Sequence, residues 1–190
     1  MLRIDNYENI KERFNPFFID ENLIKEDYQR LVNCHYGKSC NPLIYCEALL
    51  IMGVRSGLEL LLAKSVNKNV VIHVVESNVS LHDKLKKLPF NNITVFSSYE
   101  DYLQSINQTT YDLIRVDNAN FTLERIITLL TKHTVSAICG ELNEADCKPI
   151  TLFRFCRQNC ESFFFNIKDK KYNVAGSRQK IAQPEVTVVV

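Results

Sequence analysis

Apolar residues recur along this chain in two alternating rhythms. Nearly continuous apolar runs at Leu43 to Met52, Val70 to Val75, Ile93 to Phe96, Tyr111 to Val116 and Val135 to Cys139 suit strands covered on both faces, where neither side calls for polar residues. Between them lie stretches with helical spacing or good helix formers: Leu58 to Lys64, Val79 to Leu88 closed by Pro89, Tyr99 to Ile106, and Phe121 to Lys132 with Phe121, Ile126, Leu129 and Leu130 on one face. A further helix is expected over Thr151 to Cys160, and a strand over Ser162 to Ile167. The polar turn Asp169-Lys170-Lys171 then leads into a hairpin partner near Tyr172 to Ala175. Strands alternating with helices at this spacing predict βαβ units and a mostly parallel α/β sheet.

The two ends depart from this alternation. Residues 1–42 read as an N-terminal helical extension. Asp20-Glu21-Asn22 offers a cap for a helix over Leu23 to Val32, a lid or flanking helix with Leu23, Ile24, Tyr28, Leu31 and Val32 on its apolar face. Residues 43–176 hold the alternating core. The stretch 177–190 reads as a polar linker followed by PEVTVVV. An apolar strand at a chain end with nothing to pair invites edge-to-edge association, so it is expected to begin a following domain.

Composition narrows the possible partners. With 190 residues and 46% apolar content, the chain suits one buried core plus an appendage. Acids and bases are mixed along it and the formal net charge is +1, so nucleic acid is not an expected partner. No apolar segment reaches the roughly 20 residues that span a bilayer. The opening MLRIDNYENIKERF lacks the apolar core of a signal peptide, and a cytoplasmic location is expected.

Two motifs fail on spacing. Among the seven cysteines, Cys34, Cys40 and Cys46 lie six apart and Cys156 and Cys160 four apart, without the close pairs of a zinc site, so free thiols and no metal are expected. Gly37-Lys38-Ser39 ends like a phosphate-binding loop, yet Val32 stands where that loop begins with glycine.

The candidate chemistry gathers between Leu49 and Glu76. A strand, a turn holding Gly53 and Gly57, a helix, a second strand and a terminal carboxylate build the crevice at the strands' carboxyl ends, where open α/β sheets hold ligands. Glycine lets backbone approach a ligand closely, and the helix start offers free N–H groups. Glu76, about 20 residues on, is placed to accept the hydroxyls of a ribose. The spacing is GxxxG rather than GxGxxG, which speaks against a dinucleotide. Arg55, inside the turn, reads either as a contact for a phosphate or carboxylate or as a solvated loop residue. His73, in mid-strand, reads as a satisfied imidazole, and Asp117 as a helix cap or a site residue.

GVRSG, VVIHVVESN, NNITVFSSYEDYL and YDLIRVDNANFTLERI together resemble the class I S-adenosylmethionine-dependent methyltransferases, and within them the FkbM-like family, over about Leu43 to Val174. The resemblance implies a Rossmann-like, mostly parallel seven-stranded sheet with helices on both faces. It implies S-adenosylmethionine as cofactor, with Gly53, Arg55, Gly57, Glu76, Asn78 and Ser98 around it, Asp117 as the catalytic candidate, and a sugar-linked hydroxyl as acceptor. Ile51 replaces the family's acid before the first glycine, Ser77 its proline, and Ala119 and Asn120 its Glu-Gly. A donor sulfonium thereby loses carboxylates whose attraction is strongest in a low-dielectric cleft. PEVTVVV is similar to the first strand of GT-A glycosyltransferases, so an adjacent glycosyltransferase domain is the expected partner, in surface polysaccharide assembly. The expected function is a degenerate, non-catalytic methyltransferase-like scaffolding module; the alternative is an active O-methyltransferase acting on a sugar hydroxyl.

Overall fold

The computed structural model describes residues 7–15, 17–33, 46–116, 122–143, 157, 162–168, 171–177 and 187–189. Helices α1 (Tyr7–Phe14) and α2 (Ile24–Asn33) precede the sheet, joined through a single 3-10 turn at Glu21–Leu23. The Asp20 side chain caps that turn by accepting from Asn22 N–H, the role its position in the sequence predicts. The chain then alternates β1 (Ala48–Met52), α3 (Leu58–Val66), β2 (Val71–Val75), α4 (Val79–Lys86), β3 (Ile93–Phe96), α5 (Tyr99–Ser105), β4 (Thr110–Val116), α6 (Leu123–Lys132) and β5 (Thr134–Asn143). Strands β6 (Ser162–Lys168), β7 (Lys171–Ser177) and β8 (Thr187–Val189) complete it.

The sheet order is β3-β2-β1-β4-β5-β7-β6-β8. The first five strands are parallel, β7 runs antiparallel between β5 and β6, and β8 is parallel to β6. Among the described residues the sheet holds eight strands, where seven were expected. Thr187–Val189, expected to stand outside this fold, supplies the eighth because the open edge of β6 offers it a ladder. The helix expected over residues 151–160 lies outside the described residues, Arg157 excepted.

Strand alternation explains the continuous apolar runs. Leu49 and Ile51 of β1 point to one face of the sheet, where they join α1, α3 and α4 in a core with Ile72, Val74 and Leu113. Leu50 and Met52 point to the other face, packing with Ile114, Val116, Tyr102 of α5 and Ile126 and Leu129 of α6. Because both faces of β1 are buried, the strand needs apolar residues at every position.

The N-terminal segment belongs to the first face. Ile10, Phe14, Phe18, Ile19 and Ile24 are all buried in its core, so this segment packs against the sheet.

Two polar anchors fix the amino ends of the strands. Asp112 accepts from Glu47 and Ala48 N–H at 2.7 and 2.9 Å, tying the start of β1 to β4. Lys64, 3% exposed, donates to the carbonyls of Lys68, Val70 and Asn91, and burial pushes its ammonium pKa down.

Candidate functional site

The β1–α3 turn occupies the crevice position. Gly53 and Gly57 hold φ of +79° and +81°, a region that penalises any residue with a Cβ. Gly57 is the N-cap of α3 and offers no side chain to its free amides; the Ser56 hydroxyl accepts from Leu58 N–H instead, at 3.2 Å. Gly53 N–H donates to Val75 O at 2.8 Å, holding the turn against the end of β2.

Glu76 spans that junction. Only 7% exposed, it accepts from Val54 N–H at 2.8 Å with one carboxylate oxygen and from Asn78 N–H at 2.7 Å with the other. The candidate ribose acid thus closes the glycine turn onto the second strand through two charge-assisted bonds. Asn78 and Ser98, also expected beside a cofactor, serve as helix N-caps: Asn78 accepts from Ser80 and Leu81 N–H on α4, and Ser98 from Asp101 N–H on α5.

Arg55 turns to α2, where it pairs with Glu26 at 2.5 Å and Asp27 at 2.8 Å. Asp27, 8% exposed, also accepts from Ser56 N–H at 2.9 Å, so α2 grips the middle of the turn. Ile19 adds a second grip. Its N–H donates to Ser56 O at 2.9 Å, its carbonyl accepts from Lys84 Nζ of α4 at 2.8 Å, and its side chain covers the open side of Gly57.

The turn borders a cleft of about 280 Å³, counting its open mouth, lined by Asp27, Ile51, Gly53, Arg55, Gly57 and Glu59 among others. Most of that space is open solvent: the room inside is about 20 Å³, against roughly 300–1,000 Å³ for small-molecule sites. Ile51 presents no charge where the family pattern carries an acid, but Asp27 and Glu59 bring carboxylates to the same cleft from α2 and α3. Both are matched within the chain, Asp27 by Arg55 and Glu59 by Arg115 of β4 at 2.5 Å. Local sequence gives no sign of Ile19, Asp27 or Lys84 here, because Ile19 and Asp27 reach the turn from 28 or more positions away and Lys84 acts through Ile19, 65 positions from it.

Asp117, the catalytic candidate, lies outside the described residues, as do Ala119 and Asn120. The cap of α6 is Thr122, which accepts from Arg125 N–H, in place of the Asp117 cap considered from sequence. Among the described residues no group of three His, Cys, Asp or Glu could hold a metal ion, and no helix is long and apolar enough to cross a membrane.

A second polar constellation lies under the other face. His73 Nδ1 is 2.5 Å from Tyr111 Oη, Tyr102 Oη is 3.1 Å from Tyr111 Oη, and His133 Nε2 is 2.8 Å from Tyr102 Oη. Thr109 N–H donates to His133 Nδ1, which leaves the ring proton on Nε2 and gives the chain one direction: His133 to Tyr102 to Tyr111 to His73. Burial pushes Tyr102 and Tyr111 up, Tyr111 to about 12, and pushes both histidines down, His133 to about 4. His73 is therefore a satisfied, semi-buried imidazole.

Solved structures share this fold. The Escherichia coli protein yhhF, named as a methyltransferase, superposes with a TM-score of 0.55 at 15% identity, covering 82% of this chain and 86% of its own. A Staphylococcus aureus protein named as a caffeoyl-CoA O-methyltransferase gives 0.54 at 12% identity over 92% and 93%. The plantazolicin methyltransferase BpumL, solved with SAH, gives 0.52 at 10% identity over 91% and 98%. The fold is that of the class I methyltransferases. At these identities the likeness carries the architecture and not the chemistry. No protein-family model and no curated protein matches the sequence.

Proposed function

We propose that this chain is a methyltransferase-fold module that takes no methyl donor in its closed form and acts as a structural companion to a sugar-transferring domain. The observation that carries the reading is the state of the glycine turn. Its ligand-facing groups are already used inside the chain: Ile19 covers Gly57, Arg55 pairs with Glu26 and Asp27, and both oxygens of Glu76 accept backbone N–H groups. A donor sulfonium would meet carboxylates whose charges are matched by Arg55 and Arg115, so its desolvation would find little compensation. The choice of companion rests on the sequence likeness of PEVTVVV to a glycosyltransferase first strand, while Thr187–Val189 pairs with β6 of this sheet.

An O-methyltransferase acting on a sugar hydroxyl is the competing reading, favoured by the fold and by the retained Gly53, Gly57, Glu76 and Asn78. Calorimetry with S-adenosylhomocysteine decides between them. No binding heat is expected at about 1 mM ligand, corresponding to an affinity weaker than about −4 kcal/mol. Micromolar binding that Glu76→Ala abolishes would overturn the closed, donor-free reading.

A further inference from the structure

The groups that shut the turn come from two places: Glu76 from within the crevice pattern, and Ile19, Glu26 and Asp27 from the N-terminal segment. We propose that residues 17–28 are an intramolecular plug, and that a local swing of the Ile19 turn opens the glycine turn to a methyl donor. The inference rests on the reading that the closed chain takes no donor.

The contacts divide into anchors and latches. Ile10, Phe14 and Ile24 are each 6% exposed or less and hold the segment to the first face of the sheet on both sides of Ile19. Detaching the whole segment would expose that apolar surface, so opening is confined to the stretch between the anchors. Between the anchors Phe18 and Ile19 are themselves buried, and the polar latches are the Ile19 N–H bond to Ser56 O and the Lys84 bond to Ile19 O. Just beyond Ile24, α2 adds the pairs of Arg55 with Glu26 and Asp27 and the Ser56 N–H bond to Asp27. The Glu26 side chain is 59% exposed, which leaves that pair weak and open to screening.

The strongest latch is steric. A Cβ built on Gly57 would lie 2.7 Å from Ile19 Cγ1, so the isoleucine fills the space a glycine leaves for close approach. Behind it, Gly53, Gly57, Glu76 and Asn78 retain the positions of a donor site. Apparent affinity rises in proportion to the fraction of molecules that are open.

The test uses the full chain and S-adenosylhomocysteine as probe. Ile19→Ala/Lys84→Met loosens the plug without touching the glycine turn, and Glu26→Gln/Asp27→Asn removes its ion pairs. Each variant is first checked for a cooperative thermal transition. Binding at least about tenfold tighter than the parent's is expected in both variants. A silent parent with silent, folded variants would overturn the plug while leaving the proposed function standing. A parent that binds at micromolar level overturns the proposed function, and the plug falls with it unless the variants bind tighter still. Should both variants fail to fold, amide exchange in the parent decides. The Ile19 amide is expected to exchange through local opening, at least about a hundredfold faster than Leu50 in β1. Equal protection at the two sites would overturn the plug.

Discussion

Ile19 and Gly57, thirty-eight positions apart, are fitted to each other: the isoleucine Cγ1 stands 2.7 Å from where a Gly57 Cβ would be, and Gly57 holds φ at +81°. The glycine is required twice, once by its backbone and once by its neighbour. Ligand approach is not needed to explain it.

Gly57→Ala is therefore expected to destabilise the fold by about 2–3 kcal/mol, combining left-handed strain with the overlap. That corresponds to a fall in Tm of roughly 4–12 °C for a chain of this size. In an Ile19→Ala background the penalty should shrink, since the overlap is relieved, but it should not vanish because the positive φ remains. Thermal melts of the four chains check this, and full additivity would mean that Ile19 does not touch the site.

Glu76→Gln should destabilise the protein without any ligand present. The carboxylate accepts from Val54 and Asn78 N–H on separate oxygens. The amide keeps one acceptor and turns an NH2 group toward a donor. A loss of about 1–3 kcal/mol follows from one unsatisfied buried N–H, measurable by urea unfolding. An unchanged midpoint would show that the carboxylate is free for other work.

Lys64→Met should cost stability although it removes a buried charge. The carbonyls of Lys68, Val70 and Asn91 lose their common donor, and two of those bonds are 2.5 and 2.6 Å long. We expect a loss of about 1–3 kcal/mol, read from denaturant midpoints. Lys64→Arg should recover part of it.

Stability should fall as pH drops from 6.5 toward about 4. His133 is 2% exposed and stays neutral in the folded chain until about pH 4, whereas its unfolded value is near 6.5. Below pH 6.5 the unfolded state takes up a proton that the folded state refuses, so unfolding gains; below about pH 4 both states are protonated and the effect saturates. The total is on the order of 3 kcal/mol for this group. His73, also pushed down by burial, adds in the same direction. His133→Gln should lessen the slope in this window relative to the parent, with stability followed by urea titration at each pH.

The strand and helix alternation was legible in the sequence because doubly covered strands must be apolar at every position, which the run at Leu49 to Met52 obeys and the run at Val71 to Val75 follows except at His73. The glycine turn and Glu76 at a strand end were legible for a similar reason: each is fixed by local backbone conformation and by distance along the chain. Tertiary structure alone decided how those groups are used. Arg55 meets Glu26 and Asp27, Gly57 meets Ile19, Lys84 meets the Ile19 carbonyl, and Thr187–Val189 joins β6. None of these pairs is close enough in sequence to leave a periodic trace. They form because the first face of the sheet must be covered, and the N-terminal segment that covers it brings its own charges and side chains to the crevice.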